Sequence, residues 1–113
     1  MSGSVEAKAT WGGTLWTYTN RVDWCWDGQH VTTISPIQIT ADIPDWSVVL
    51  GWSYEGVKSS SQWDYFGDKW VYRSLTQALF KYCPPRVICV QEVLPLIALD
   101  TYGDGTSQFQ WRA

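Results

Sequence analysis

Cys25, Asp27 and His30 fall within the eight residues "WCWDGQHV", and a thiol, a carboxylate and an imidazole are the parts of a thiolate–imidazole nucleophile. Their spacing does not assemble one. In a strand that runs into a turn, near neighbours point to different sides, so contact among the three needs tertiary help. His30 is the sole histidine, and a single imidazole on a hairpin is far more often solvated than a general base. No Cys/His spacing matches a zinc motif. In "LDTYGDGTS", Asp100, Asp104 and Gly105 faintly resemble a calcium loop, but the spacing departs from it and no closing Glu follows, so a hairpin turn accounts for them. GxGxxG, phosphate-loop and GxSxG patterns are missing as well. The chain therefore reads as non-catalytic, with no cofactor and no metal.

What it carries instead is rings: nine Trp, six Tyr and three Phe in 113 residues. Abundance alone proves no surface role. A chain of this mass buries on the order of 12,000 Å² on folding, of which its aromatics need only about 3,600 Å². Position decides. Trp16, Tyr18, Val22, Trp24 and Trp26 share one face of an alternating run and read as core. Trp63, Tyr65 and Phe66 instead lie among Ser, Gln, Asp and Lys in "SSSQWDYFGDKW", while Trp11 precedes Gly12 and Gly13, and Trp111 is near the C-terminus. Such rings are harder to bury. An exposed indole stacks on the apolar face of a pyranose while neighbouring Asp, Asn or Gln side chains bond the hydroxyls. Trp11, Trp63, Tyr65 and Trp111 are the candidate ligand-binding residues.

The elements that must position them are strands. "TLWTYTNRVDWCW" (14–26) alternates with aromatic and β-branched residues, and Asp27-Gly28 fits a type I′ turn into "HVTTISPIQIT", which Pro36 should bend or place at an edge. "DWSVVLGWSYEG" alternates again and reads as a strand, followed by "VKSSSQ" as a polar loop. "KWVYRSLTQALFKYC" fits a strand or a helix; its aromatic flanks favour the strand, ended by Pro84-Pro85. "VICVQEV", "LIALDTY", a turn at 103–105 and "SQFQW" complete an all-β chain. The expectation is one domain over 1–113, an antiparallel β-sandwich or small barrel of about six to eight strands. Residues 1–10, small and polar without an apolar centre, hold no signal peptide and read as a flexible or added start.

Composition narrows the partners. Eight Lys and Arg against eleven Asp and Glu give a net charge of -3 with no basic run, which disfavours nucleic acid and anionic membranes. No apolar run is long enough to span a membrane. Cys83 and Cys89 bracket a short loop and are the favoured disulfide, leaving Cys25 over; Cys25 bonding one of them across a sheet is the alternative. Either disulfide implies an oxidising compartment.

The assembled pattern of "DWCWDG", "VTTI", "WSYEG", "FKYC", "CVQ", Pro95 and "TYGDGT" resembles a group of small, tryptophan-rich secreted bacterial β-proteins of uncharacterised function, over roughly 14–106. The resemblance implies export and an all-β fold and carries over no site residue. The expected function is an extracellular domain that binds carbohydrate or cell-wall polymer through exposed rings. A protein-interaction module, such as a secreted inhibitor or toxin-like effector, and a self-associating structural domain are the alternatives.

Overall fold

The computed structural model describes residues 2–8, 13–84 and 88–112. In chain order the strands are β1 (Ser2–Lys8), β2 (Thr14–Arg21), β3 (Trp24–Trp26), β4 (Val31–Ile34), β5 (Gln38–Asp42), β6 (Trp52–Asp64), β7 (Val71–Tyr82), β8 (Gln91–Val93), β9 (Leu96–Tyr102) and β10 (Ser107–Arg112). One short helix, α1 (Asp45–Leu50), joins β5 to β6. All strand pairs are antiparallel: β1-β2-β5 form one sheet, β10-β9-β7-β6 with β8 alongside β7 form a second, and β3-β4 form a separate hairpin. The fold is all-β, as the alternation implies, and the sheets do not close into a barrel.

The strand count exceeds the expected six to eight. One added strand is β1, paired along β2 from Ser2 opposite Arg21 to Lys8 opposite Thr14. Another comes from the break of the aromatic run at Val22 and Asp23, where the Asp23 N–H donates to Ser35 Oγ and the Ser35 N–H donates to the Asp23 carbonyl. That exchange turns the backbone out of the first sheet. Trp16, Tyr18 and Val22 are buried as expected, together with Asn20, but Trp24 is only half-buried and Trp26 is exposed.

The core lies where β2 meets β7 and β9. Trp16 stacks on Phe80 with ring centroids 4.2 Å apart, Tyr18 meets the same ring edge-on, and Val22, Ala78, Ile97 and Leu99 fill the remainder. Ser74, Thr76, Ala78 and Phe80 alternate along β7, all buried, so the strand reading of this segment holds. The Tyr18 hydroxyl donates to Thr76 Oγ1 at 2.7 Å and the Asn20 amide donates to the same oxygen. Burial pushes the Tyr18 phenol above its usual pKa.

Two stretches depart from expectation. "DWSVVL" is helical, not extended: Pro44 holds φ at -57°, its carbonyl accepts the N–H groups of Ser47 and Val48, and Gly51 closes the helix at φ +114°. The alternation of Trp46, Val48 and Leu50 misleads because the segment buries only Ser47. A Cβ on Gly51 would fall 2.3 Å from the Cys83 carbonyl oxygen, so glycine is what lets this turn abut β7. The run "VKSSSQ" lies inside β6 and is not a loop. β6 is an edge strand exposed over most of its length, and polar residues on an exposed edge look like loop composition; bulges at Tyr54/Gly56 and Val57/Ser59 accompany them.

The Asp27-Gly28 turn also differs. The β3–β4 connection runs from Asp27 to His30, with Gly28 at φ +96° and Asp27 outside the positive-φ region that a type I′ turn requires. Its order comes from the Asp27 carboxylate, which accepts the N–H groups of Gln29 and His30 at 2.9 and 2.7 Å. Cys83 and Cys89 form a disulfide, and Cys25 is a free, exposed thiol.

The Trp16–Phe80 contact sets the scale of core stability. Phe80→Ala should destabilise the fold by roughly 3–5 kcal/mol in urea denaturation, because it removes the ring that both Trp16 and Tyr18 pack against. A loss below about 1 kcal/mol would mean that the two sheets hold together by other contacts.

Candidate functional site

The alternate residues of β7 that do not enter the core build the opposite face of the second sheet. Register places Trp63, Arg73, Asp100 and Gln108 in one row across β6, β7, β9 and β10, then Ser61, Leu75, Ala98 and Gln110, then Ser59, Gln77, Leu96 and Arg112. In the first row Arg73 Nε and Nη2 donate to the two oxygens of Asp100, both at 2.8 Å. Asp100 is buried to 5% side-chain exposure and Arg73 remains 26% exposed. The hydrogen bond to Asp100 raises the Arg73 pKa further above its ordinary value. Nη1 makes no hydrogen bond among the described residues, so the fork keeps donors for a ligand.

Beside this pair stand the rings. The Arg73 guanidinium lies 4.7 Å from the centroid of Tyr65, Tyr65 and Trp63 are stacked at 6.4 Å, and Phe66 meets Tyr65 edge-on at 5.0 Å. Trp63 is 37% and Tyr65 46% exposed. Their placement is local chemistry. The Asp64 carboxylate accepts the N–H groups of Gly67 and Lys69, Asp68 accepts that of Trp70, and Lys69 takes a positive φ of 63°, so the turn after β6 is tied to its own backbone. Below the rings a groove of about 330 Å³ runs between Arg73 and Arg112 over Leu75, Leu96 and Ala98.

Of the four candidate ligand-binding residues, the structure brings Trp63 and Tyr65 together. Trp111 lies on β10 opposite Ile97, whose side chain is in the core; it borders the groove but belongs to the other alternate set from Gln108 and Gln110. Trp11 lies outside the described residues. Sequence reasoning missed Arg73, Gln108, Gln110 and Arg112, and weighed Asp100 only as part of a calcium-loop-like turn, not as the partner of Arg73. Their signal was the second alternate set of the same strands, visible only once register set them side by side.

Cys25 and His30 do not meet in one site. Cys25 lines a depression with Trp24, Thr33 and Ser35, while His30 lines another with Asp27, Thr32 and Lys69. His30 Nδ1 lies 3.6 Å from Asp27 Oδ2, too long for a hydrogen bond, and both side chains are half exposed. No cluster of metal-binding side chains exists among the described residues. The turn that holds Asp27 has a structural part: the Gly28 N–H donates to the Gly103 carbonyl at 2.9 Å, and a Cβ on Gly105 would lie 2.6 Å from the Trp26 indole. This hairpin is docked on the β9–β10 turn. Comparison with family models, curated proteins and solved structures finds no match for the chain.

Two outcomes follow from this geometry. Asp100→Asn should lower stability by roughly 2–4 kcal/mol in urea denaturation by leaving Arg73 without its counter-charge, whereas Gln108→Ala should stay within about 0.5 kcal/mol. Equal effects would mean that the ion pair is not structural.

Acid should loosen the docked turns. Backbone N–H groups hold Asp27 below the ordinary carboxyl value of 3.8, and the Thr106 hydroxyl and N–H do the same for Asp104. Depressed folded values mean that this stabilisation is present above pH 3.8 and is lost as pH falls below it towards the folded values. An acid titration followed by tryptophan fluorescence should show that loss, and Asp27→Asn with Asp104→Asn should flatten it. An unchanged titration in the double variant would assign the transition to other carboxylates.

Proposed function

We propose that this is a non-catalytic extracellular domain, its two sheets packed as a sandwich, that binds carbohydrate or cell-wall polymer on the open face of the larger sheet. The observation that carries this reading is the stacked, exposed Trp63–Tyr65 pair beside the bidentate Arg73–Asp100 pair. A sugar ring offers an apolar face and a rim of hydroxyls that both donate and accept. The rings supply the first match. Arg73, held in place by the buried Asp100 and itself partly exposed, supplies donors for the second. The Cys83–Cys89 disulfide fits an oxidising compartment, and no helix among the described residues is long and apolar enough to cross a membrane.

A protein ligand would use the same face, because Trp, Tyr and Arg dominate interface hot spots. The two readings separate on a glycan and polysaccharide array with the folded domain, hits being checked in solution by tryptophan fluorescence. Carbohydrate binding predicts a hit that Trp63→Ala abolishes while the melting temperature moves by no more than about 2–4 °C, since the ring is partly exposed. A blank array would end the carbohydrate reading and leave the protein partner.

A further inference from the structure

The groove beside the rings does not end at the first depression. A second depression, of about 550 Å³, is lined by Gln77, Gln91, Glu92, Val93, Leu94 and Arg112, and it shares Arg112 with the first. From the Trp63–Arg73 row to the row where Lys81 pairs Glu92 is eight residues along β7, roughly 26 Å at the rise of an extended strand. That length accommodates several sugar rings in line. A single ring would occupy one row of side chains and leave the rest of the channel empty.

Charge along the channel is uneven. Arg73 is neutralised by Asp100, and Lys81 lies 3.7 Å from Glu92. Arg112 has no ion-pair partner among the described residues and stands where the two depressions join. On a chain of net charge -3 this is a local positive site in the middle of a path otherwise lined by paired charges, Gln side chains, aliphatic groups and the Trp111 indole. A guanidinium offers a planar pair of donors that fits a carboxylate in two parallel hydrogen bonds.

We propose that the face binds a run of several units from a linear, uronate-bearing polysaccharide laid along β7, with one unit stacked on Trp63 and Tyr65 and a carboxylate farther along the chain held by Arg112. This rests on the carbohydrate reading above and adds to it a chain length and a charge. A neutral mono- or disaccharide fills only the aromatic end. A longer uronate also reaches Arg112.

The test titrates the folded domain, by tryptophan fluorescence, with dimers, tetramers and hexamers of galacturonate, of mannuronate from alginate and of hyaluronan, and with cellohexaose, xylohexaose and chitohexaose as neutral chains. At least one uronate series should tighten by about tenfold or more from dimer to hexamer and weaken with added salt. Arg112→Gln should lower uronate-hexamer affinity by about tenfold and remove most of its salt dependence, while Trp63→Ala should weaken neutral and uronate chains alike. Equal affinity for dimer and hexamer would overturn the extended site. Neutral hexamers binding as tightly as uronates, with Arg112→Gln silent, would overturn the charge assignment, and in both cases the carbohydrate reading stands. No response to any uronate or neutral chain overturns this inference; a blank general glycan array is what would remove the carbohydrate reading itself.

Discussion

The stack of Trp16 on Phe80 is the contact on which the arrangement of the molecule depends. Phe80 lies on β7, the strand that pairs β6 on one side and both β8 and β9 on the other, and Trp16 lies on β2, the centre of the smaller sheet. Side chains alternate along a strand, so committing Phe80, Ala78, Thr76 and Ser74 to the core commits Arg73, Leu75 and Gln77 to the other face. A one-residue slip of β7 would bury the arginine and expose the phenylalanine. The pairing that builds the core therefore also aligns the groove.

The interior around that stack is unusually polar for so small a core. Thr76 Oγ1 accepts from both Tyr18 and Asn20, and Ser74 accepts from Gln62, whose amide also donates to the Ser35 carbonyl. Asn20 Oδ1 and Trp16 Nε1 are buried without a partner among the described residues. Each unmade bond of this kind costs about 1–3 kcal/mol, and mutually bonded hydroxyls recover only part of that. What such a network supplies is register: Tyr18 and Asn20 reach the same oxygen only when β2 lies across β7 in one position.

How much of this was legible in the sequence depends on what each signal encodes. Period-two aromatics gave the all-β class, β7 and the buried faces of Trp16, Tyr18 and Val22, because alternation is the local consequence of one buried face. The helix at 45–50 was not legible by the same rule, since its apolar residues point outward and the controlling features are Pro44 and Gly51, which fix backbone angles and not burial. The serine run of β6 was misread because an edge strand exposed on both faces has the composition of a loop. For the candidate site, Trp63 and Tyr65 stood out by their polar neighbours. Arg73 and Asp100 are 27 residues apart, and nothing in either neighbourhood names the other; only the β7–β9 register does.

That ion pair is also the strongest physical reason to regard this face as a binding surface and not simply the outside of a sheet. A largely buried pair of charges costs desolvation that its mutual attraction barely offsets, and well-packed apolar residues at such positions are commonly as stable or more so. The neighbouring positions Leu75, Ala98 and Leu96 show that this sheet face accepts apolar side chains. A pair placed there, with the guanidinium 4.7 Å from the Tyr65 ring centroid, gains little for the fold over such a replacement. It fixes the partly exposed guanidinium next to two exposed rings that the Asp64-capped turn holds in place. Rigidity of that kind lowers the entropic cost of holding a polar ligand.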